Sequence, residues 1–493
     1  MFQKGHPGSR LVSVSISALG IATAQGNTTA VCNGGNPRLP ASWPWPANRW
    51  TTSFICRPAT ELDPTLTGIH RWQSLLKVAL NDCFGSASAS ETPVFLASCN
   101  GAIAGFDQRS WRASFDSSAL LADTPWSGAR LPVFSSSCNS GMHALYAATQ
   151  AIATGAKEAF VIAADILSES NQNNFEGLRI LAESSVAPWQ ASTNGFVLGE
   201  AAVVLKLTRD AVGDRGAFLS GPVLANSLGR GSGLSEVVSR MQSINPRVVI
   251  GQGTGPAARD AQELAMLKPA ITSDVPITSP LFHFGHTLGA SGLVSIALAA
   301  LTIRKQHTLA GLAMPLEFAT DGRPLAQSGL NGVKSILITS EALDGSCAAV
   351  GVSKGEPVHA EHQPYDRSWK RALPSGPLMH PVLRQIAEAA LSHRPAEPPG
   401  VLLVNLEEPL APASQAWFGE RLLPSAVLEI TPGFISQLIA RTWGFAGPAL
   451  CQVGPTSVDD RWTLKDICRE RGATMAEVSV VGTGDNREII WNN

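Results

Sequence analysis

Net charge, paired cysteines and long apolar runs are all scarce in this 493-residue chain. A formal net charge of −2 gives no electrostatic reason to bind nucleic acid or an anionic membrane. The eight cysteines stand apart, with neither the spacing of a zinc site nor the density of a disulfide framework. They fit a reducing, cytoplasmic setting. No stretch reads as the ~18–20 apolar residues of a membrane span. Residues 1–26 loosely imitate a secretory leader, with basic residues, an apolar run and Ala22-Thr-Ala24. Yet Val12-Ser-Val-Ser-Ile-Ser17 alternates as a strand does, and Gly20 and Gly26 suit a following turn, so the segment is read as β-structure.

Helical and strand patterns alternate along the chain, which predicts a layered α/β fold. A helix around Trp72–Cys83 precedes an apolar strand at Val94–Ala97, and Ala159–Ala164 is apolar enough to be buried on both faces. Phe196–Leu205 reads as hairpin-like strands closing a first half, residues 1–210. A second half, 211–353, holds strands at Arg247–Ile250, Val333–Thr339 and Ala348–Val352, with an Ala/Leu-rich helix after Gly292. Residues 354–379 are rich in Pro, His, Glu and Lys and read as a linker. In 380–493 the pattern restarts, with a helix at Val382–Ser392, a strand at Gly400–Val404, an apolar segment at Phe434–Pro448 and a strand at Val478–Asp485. That order repeats the region from 94 to 165. Its turn near Gly454-Pro-Thr-Ser457 carries no cysteine.

The cysteine it lacks is Cys138. Val133-Phe-Ser-Ser-Ser-Cys-Asn-Ser-Gly-Met-His-Ala-Leu145 reads as a short strand, a tight polar turn and a helix. A cysteine at such a junction meets unpaired backbone N–H groups and the positive helix end, which favour a thiolate that could take an acyl group. A buried structural cysteine fits the same position. Three other segments bear on the choice. Gly285-His-Thr-Leu-Gly-Ala-Ser-Gly292 puts His286 in a glycine-punctuated turn before an apolar helix. Gly251-Gln-Gly-Thr-Gly-Pro-Ala-Ala-Arg-Asp-Ala-Gln-Glu263 is another strand–turn–helix with polar residues at its tip, and Asn194-Gly-Phe-Val-Leu-Gly-Glu200 opens a glycine-bounded strand.

In this order and spacing, over about residues 10–353, these segments resemble the elongating β-ketoacyl-ACP synthases of the thiolase superfamily. The resemblance implies two pseudo-symmetric α/β halves in five layers. It also implies a homodimer or heterodimer with another ketosynthase-like subunit across a strand of the cysteine-bearing half. Acyl groups would arrive on the phosphopantetheine of an acyl carrier protein or coenzyme A, with no resident cofactor and no metal. Cys138 and His286 then match catalytic positions, the N–H groups of Cys138 and Leu343 match the oxyanion donors, and Thr254 matches a threonine that contacts the pantetheine arm.

The chain also departs from the pattern. Gln252 stands where such enzymes have a histidine, Leu281 where they usually have a lysine, and Glu341-Ala-Leu-Asp-Gly-Ser-Cys347 replaces a glycine-rich, Phe-containing loop, with Leu343 shaping the pocket in place of an aromatic gate. A Gln amide donates one hydrogen bond but carries no charge. Losing the charged option costs on the order of 2–4 kcal/mol in the transition state, comparable to deleting an oxyanion donor. Three functions stay open. Cys138 forms an acyl-enzyme and condenses it with a malonyl-type thioester, Gln252 and His286 binding the extender carbonyl, in polyketide, fatty-acid or specialised-metabolite synthesis. Alternatively, the acyl group passes to an amine, alcohol or thiol with His286 as general base. In the third, the chain is a non-catalytic partner of an active synthase. His143 and His283 read as packing or hydrogen-bonding residues, Glu200 and Glu263 as structural carboxylates, and Arg259 as a group fixing Glu263 or the carrier arm. The 380–493 segment reads as a degenerate synthase half covering a dimerisation or carrier-docking surface.

Overall fold

The computed structural model describes residues 12–33, 41–42, 55–60, 62–84, 92–104, 113–184, 187–191, 195–209, 216–228, 232–355, 370, 381–410, 431–454, 463–471, 473–483 and 486–492. The expected linker at 354–379 lies almost wholly outside these residues, as does the turn after Gly454.

In the first half the main elements are β1 (Val14–Thr23), α1 (Gly68–Phe84), β2 (Val94–Ala97), β3 (Val133–Phe134), α2 (Ser140–Thr154), β4 (Glu158–Asp165) and β5 (Ala201–Arg209). The second half has β6 (Ala217–Asn226), β7 (Val248–Ile250), α3 (Ala257–Leu267), β8 (Ile277–Thr278), α4 (Ser291–Lys305), β9 (Ser335–Glu341) and β10 (Ser346–Lys354). After the linker come α5 (Pro381–Ser392), β11 (Val401–Leu406), α6 (Gly433–Trp443), β12 (Ala449–Val453), α7 (Leu464–Glu470), β13 (Met475–Thr483) and β14 (Asn486–Asn492). All fourteen strands join one mixed sheet, in the order β8-β7-β9-β10-β6-β1-β5-β4-β2-β3-β12-β11-β13-β14.

The two halves meet where β1 pairs antiparallel with β6. Outward from that joint each repeats one pattern: an antiparallel neighbour, another antiparallel step, then two parallel strands. Strand β4 shows how this makes layers. Alternate side chains point to opposite faces, so Val161 and Ala163 join the core around α2 and α4, while Phe160, Ile162 and Ala164 join the core beneath α1. In β9, Ile336 and Ile338 face the same central helices and Leu337 faces the outer layer with α3. Burial on both faces explains the unbroken apolar run of β4. Helix α4 is buried all round from Ser291 to Ile303. Together with the short turn before it, the helix makes a stretch, Leu288–Lys305, long and apolar enough by composition to cross a membrane, contrary to the reading from sequence, and 89% of that window is buried in protein. A central-layer helix needs the same composition.

Two local readings are corrected. Gly20 does not open a turn; it lies inside β1, where an added Cβ would come within 1.8 Å of the Ala79 carbonyl oxygen. Helix α1, which buries Trp72, Leu75, Leu76 and Ala79 at helical spacing, therefore rests directly on the strand backbone. Phe196–Leu205 is not a hairpin. Leu198–Gly199 pairs with Ile55–Arg57 in a small separate sheet, while β5 runs between β1 and β4.

The C-terminal segment extends the main sheet instead of forming a separate one. β12 pairs antiparallel with β3, Gln452 opposite Phe134 and Val453 opposite Val133. On one side of this joint the order is β3-β2-β4-β5, and on the other it is β12-β11-β13-β14, with parallel, parallel and antiparallel steps in both. Layering repeats as well: Leu464 and Ile467 of α7 join the central core with α2, and residues of α5 and α6 join the outer core with α1. The outer edge of β3, in the cysteine-bearing half, is thus occupied by the same chain.

Candidate active site

The nucleophile turn lies between β3 and α2. Ser137 sits at φ 49°, a left-handed conformation that costs free energy in a non-glycine residue. The Ser140 hydroxyl donates to the Ser137 carbonyl at 2.6 Å and accepts from the Ser136 N–H at 2.9 Å, locking the turn. Asn139 caps α2 but spends its side chain elsewhere, Nδ2 donating to the Ser346 carbonyl at 2.6 Å. His143 Nε2 lies 2.9 Å from the Ser346 hydroxyl. Both bonds tie the Cys138 turn and its helix to β10 of the other half, and His143 is a buried hydrogen-bonding residue.

Cys138 is 4% exposed. Burial, and after it the Asp344 charge, pushes its thiol pKa up to about 12, while Arg259 and the Leu343 backbone N–H pull the other way. The expected thiolate is therefore not favoured at rest. A helix end contributes only about 0.3–1 kcal/mol, and desolvation of a sulfur anion in this site outweighs it.

His286 is fixed by the backbone on both sides. Its own N–H donates to the Val197 carbonyl at 2.7 Å, and its ring Nδ1 accepts the Leu288 N–H at 3.1 Å. A ring nitrogen that accepts carries no proton, so the neutral imidazole holds its hydrogen on Nε2. Burial, with a smaller contribution from Arg259, lowers the pKa to about 4. His286 is therefore a neutral donor at physiological pH. Phe196 packs beside it, ring centroids 5.1 Å apart.

Gln252 occupies a turn organised by two buried carboxylates. Glu263 accepts from the Gln252 N–H (2.7 Å), the Gly253 N–H (2.9 Å) and Trp189 Nε1 (3.1 Å). Asp260 accepts from Gly255 N–H, Trp189 N–H and the Thr254 hydroxyl. Glu263 is thus structural, and Thr254 has only its oxygen lone pairs left for a ligand. The Gln252 side chain receives the Glu341 N–H on Oε1 at 3.1 Å, which leaves Nε2 as its donating end. Gln252 and His286 thus share one device: a backbone N–H holds the accepting atom and sets a single donor at the other end.

Arg259 does not fix Glu263. Its guanidinium donates to the Glu341 and Ala342 carbonyls at 3.2 and 3.4 Å, with 34% of the side chain exposed. Cys138 and His286 both feel its charge. Leu343 packs against the apolar cluster of Cys99, Leu167, Phe175, Phe196 and Leu288. Leu281 opens a one-turn helix, Leu281–Phe284, that leads to His286, its N–H held by the Ser279 hydroxyl at 3.2 Å. His283 is held by the Ala313 carbonyl at 2.7 Å. Glu200 is a structural carboxylate: Arg71 grips both its oxygens at 2.6 and 2.7 Å, and the Ala59 and Leu167 N–H groups donate to it. Among the described residues, no group of three or more His, Cys, Asp or Glu is placed to hold a metal ion.

Two groups escaped the sequence reading. Asp344, buried beside Cys138, accepts the Ser346 N–H at 2.9 Å. Arg441 of α6 donates to the Asp344 carbonyl at 2.6 Å. Neither stands in a recognisable motif, and Arg441 reaches the site only through the β3/β12 joint.

Comparison with known proteins bears on the whole arrangement. Residues 128–211 match the beta-ketoacyl synthase N-terminal domain, and residues 237–312 the beta-ketoacyl synthase C-terminal domain. The two matched stretches fall one in each half of the fold described above. Over 221 residues, 38% of its length, this chain is 28% identical to a Streptomyces rimosus protein named as an oxytetracycline polyketide beta-ketoacyl synthase. That alignment spans 52% of the relative, about half its length. The thiolase-like fold is shared with a ketosynthase in complex with its chain length factor from Xenorhabdus doucetiae, at 18% identity and TM-score 0.56, covering 72% of this chain and all of that one. The PfaC keto synthase–chain length factor structure matches at 12% identity and TM-score 0.68, covering 95% of this chain and 74% of that one.

Proposed function

We propose that this ketosynthase-like chain is a condensing enzyme: Cys138 takes an acyl group from the pantetheine thiol of an acyl carrier protein or coenzyme A, and a malonyl-type extender is decarboxylated and joined to it. The observation that carries this reading is the Leu288 N–H on His286 Nδ1, at 3.1 Å. It leaves His286 with an Nε2–H donor suited to a thioester carbonyl that gains enolate charge as CO₂ leaves, and Gly289, three residues on, packs against Ser140 at the start of α2.

Loading is a thioester exchange. The Cys138 sulfur attacks the acyl carbonyl, and the N–H groups of Cys138 and Leu343 hold the oxyanion. The C–S bond to pantetheine breaks, and the proton lost by Cys138 ends on the departing thiol, so no net charge builds up in a site that disfavours a free thiolate. In the second stage the malonyl C–C bond to the carboxylate breaks, and its electron pair becomes an enolate whose oxygen takes hydrogen bonds from His286 Nε2 and Gln252 Nε2. The enolate carbon then attacks the Cys138 thioester, and Cys138 leaves as a thiolate that takes up one proton from solvent water. Gln252 replaces a ring donor by an amide donor, so the step keeps two hydrogen bonds.

Plain acyl transfer to an amine or alcohol is less well supported. It needs a general base, and His286 has one nitrogen occupied by Leu288 and the other protonated. A purely non-catalytic role would leave the strained, cross-bonded cysteine turn without a purpose. Intact-mass measurement after incubation with acyl-carrier thioesters, followed by labelled CO₂ release from malonyl carrier, tests the proposal. A stable acyl adduct on Cys138 with CO₂ release is expected. Adduct without CO₂ release would favour transfer, and no adduct would favour the partner role.

A further inference from the structure

We infer that residues 381–492 act as a partner subunit built into the chain, closing the β3 edge against a second copy and positioning the oxyanion loop through Arg441. The first part stands on the sheet alone; the second rests on the condensing function proposed above.

Antiparallel pairing of two equivalent strands creates a local two-fold axis, the relation between subunits in an isologous dimer. Here β3 and β12 are so paired, each followed outward by the same strand sequence, with α2 and α7 in the same core. The Ser135 N–H donates to the Cys451 carbonyl at 3.0 Å, so the backbone edge beside the nucleophile turn is already satisfied. Val133 shares one core with Leu402, Val404, Val453, Ile435 and Trp443. A second chain at this edge would have to displace β12 and open that core.

The same segment reaches the chemistry. Gly433, the first residue of α6, lies so close to the turn that an added Cβ would come within 2.6 Å of Ser136 Cα and 3.1 Å of Asp344 Oδ2. In the last turn of α6, Arg441 donates to the Asp344 carbonyl at 2.6 Å, and the Asn226 N–H of β6 donates to the Ala446 carbonyl at 3.0 Å. Leu343 is therefore bracketed. Arg259 holds the carbonyls of the two residues before it, and Arg441 holds the carbonyl of the residue after it. One clamp comes from the ketosynthase half and the other from the appended segment, so the Leu343 N–H is aimed at Cys138 by both. Arg441 is a positioning residue: it acts on the reaction through Leu343.

Sedimentation of the full chain over a wide concentration range is expected to give a monomer throughout; a dimer of full chains would overturn the partner-subunit assignment. Single-turnover acylation of Cys138 in Arg441→Ala is expected to slow about ten- to a hundred-fold, like loss of part of an oxyanion hole. The carrier concentration at half-saturation should stay unchanged, and Arg441→Lys should recover part of the rate. Acylation at the wild-type rate in Arg441→Ala, or a change in half-saturation alone, would overturn the positioning role. If Arg441→Ala does not fold, Arg441→Lys still decides: it folds with slowed acylation if the forked guanidinium matters, and acylates as wild type if it does not. Failure of the wild-type chain to acylate at all would sink the condensing function and the role of Arg441 with it, while the sedimentation result would still judge the partner-subunit claim.

Discussion

Leu288 donates its backbone N–H to Nδ1 of His286 at 3.1 Å, and this one bond decides which ring nitrogen carries the proton. Replacing His286 by alanine is therefore expected to separate the two stages. Condensation should fall about a hundred- to a thousand-fold, the usual effect of deleting an oxyanion donor, while loading of Cys138 should stay within about ten-fold of wild type. Equal losses in both would show that His286 acts on the sulfur instead.

The parallel with Gln252 suggests a gain-of-function variant. A histidine at 252 could accept the Glu341 N–H on Nδ1, as Gln252 now does on Oε1, and present Nε2–H to the extender. CO₂ release by Gln252→His is expected to match or exceed wild type, whereas Gln252→Ala should lose about ten-fold or more. Equal rates for Gln252→Ala and wild type would remove Gln252 from the reaction.

Because burial holds the Cys138 thiol up at about 12, little thiolate exists near neutrality. Alkylation by iodoacetamide, followed on the Cys138 peptide, should be slow at neutral pH and climb about ten-fold per pH unit as high as the fold survives. A plateau near pH 8 would mean an activated thiolate and would contradict the loading step described above.

Glu263 supports the Gln252 turn with three accepted bonds, and Glu263→Ala strips the acceptor from all of them. Each orphaned buried donor costs about 1–3 kcal/mol, so a total loss of about 3 kcal/mol or more is expected in denaturant unfolding. Burial raises its pKa to about 7, above that of the unfolded chain. The folded form therefore keeps a proton that the unfolded form releases, and this contribution is complete at low pH and shrinks as pH rises to about 7. The destabilisation by Glu263→Ala should accordingly be larger at pH 5 than at pH 8.

Much of this was legible in the sequence because composition reports layers. The double-sided burial of β4, the central helix after Gly292 and the restart of the pattern beyond the linker all leave periodic signatures. The motifs around Cys138, Gln252 and His286 were equally visible, since each needs glycines and polar residues at a strand–helix junction. Ionisation was not. Helix geometry argued for a thiolate at Cys138, but the balance between a helix end and desolvation depends on how much protein surrounds the sulfur, and Asp344 adds charge from a remote strand turn. Gly20 was misread because a glycine that admits a helix backbone and a glycine that opens a turn look alike in one dimension. Arg441 was invisible for a similar reason: it becomes part of the site only when β12 docks on β3.

That docking also sets an order of events during synthesis on the ribosome. The turn carrying Cys138 is made early, yet the strand that pairs with its edge and the arginine bonded to the Asp344 carbonyl are made much later. Until then the nascent chain carries an open strand border of the kind that invites association with other chains. Nascent chains stalled before residue 449, where β12 begins, should therefore be more prone to clump than longer ones.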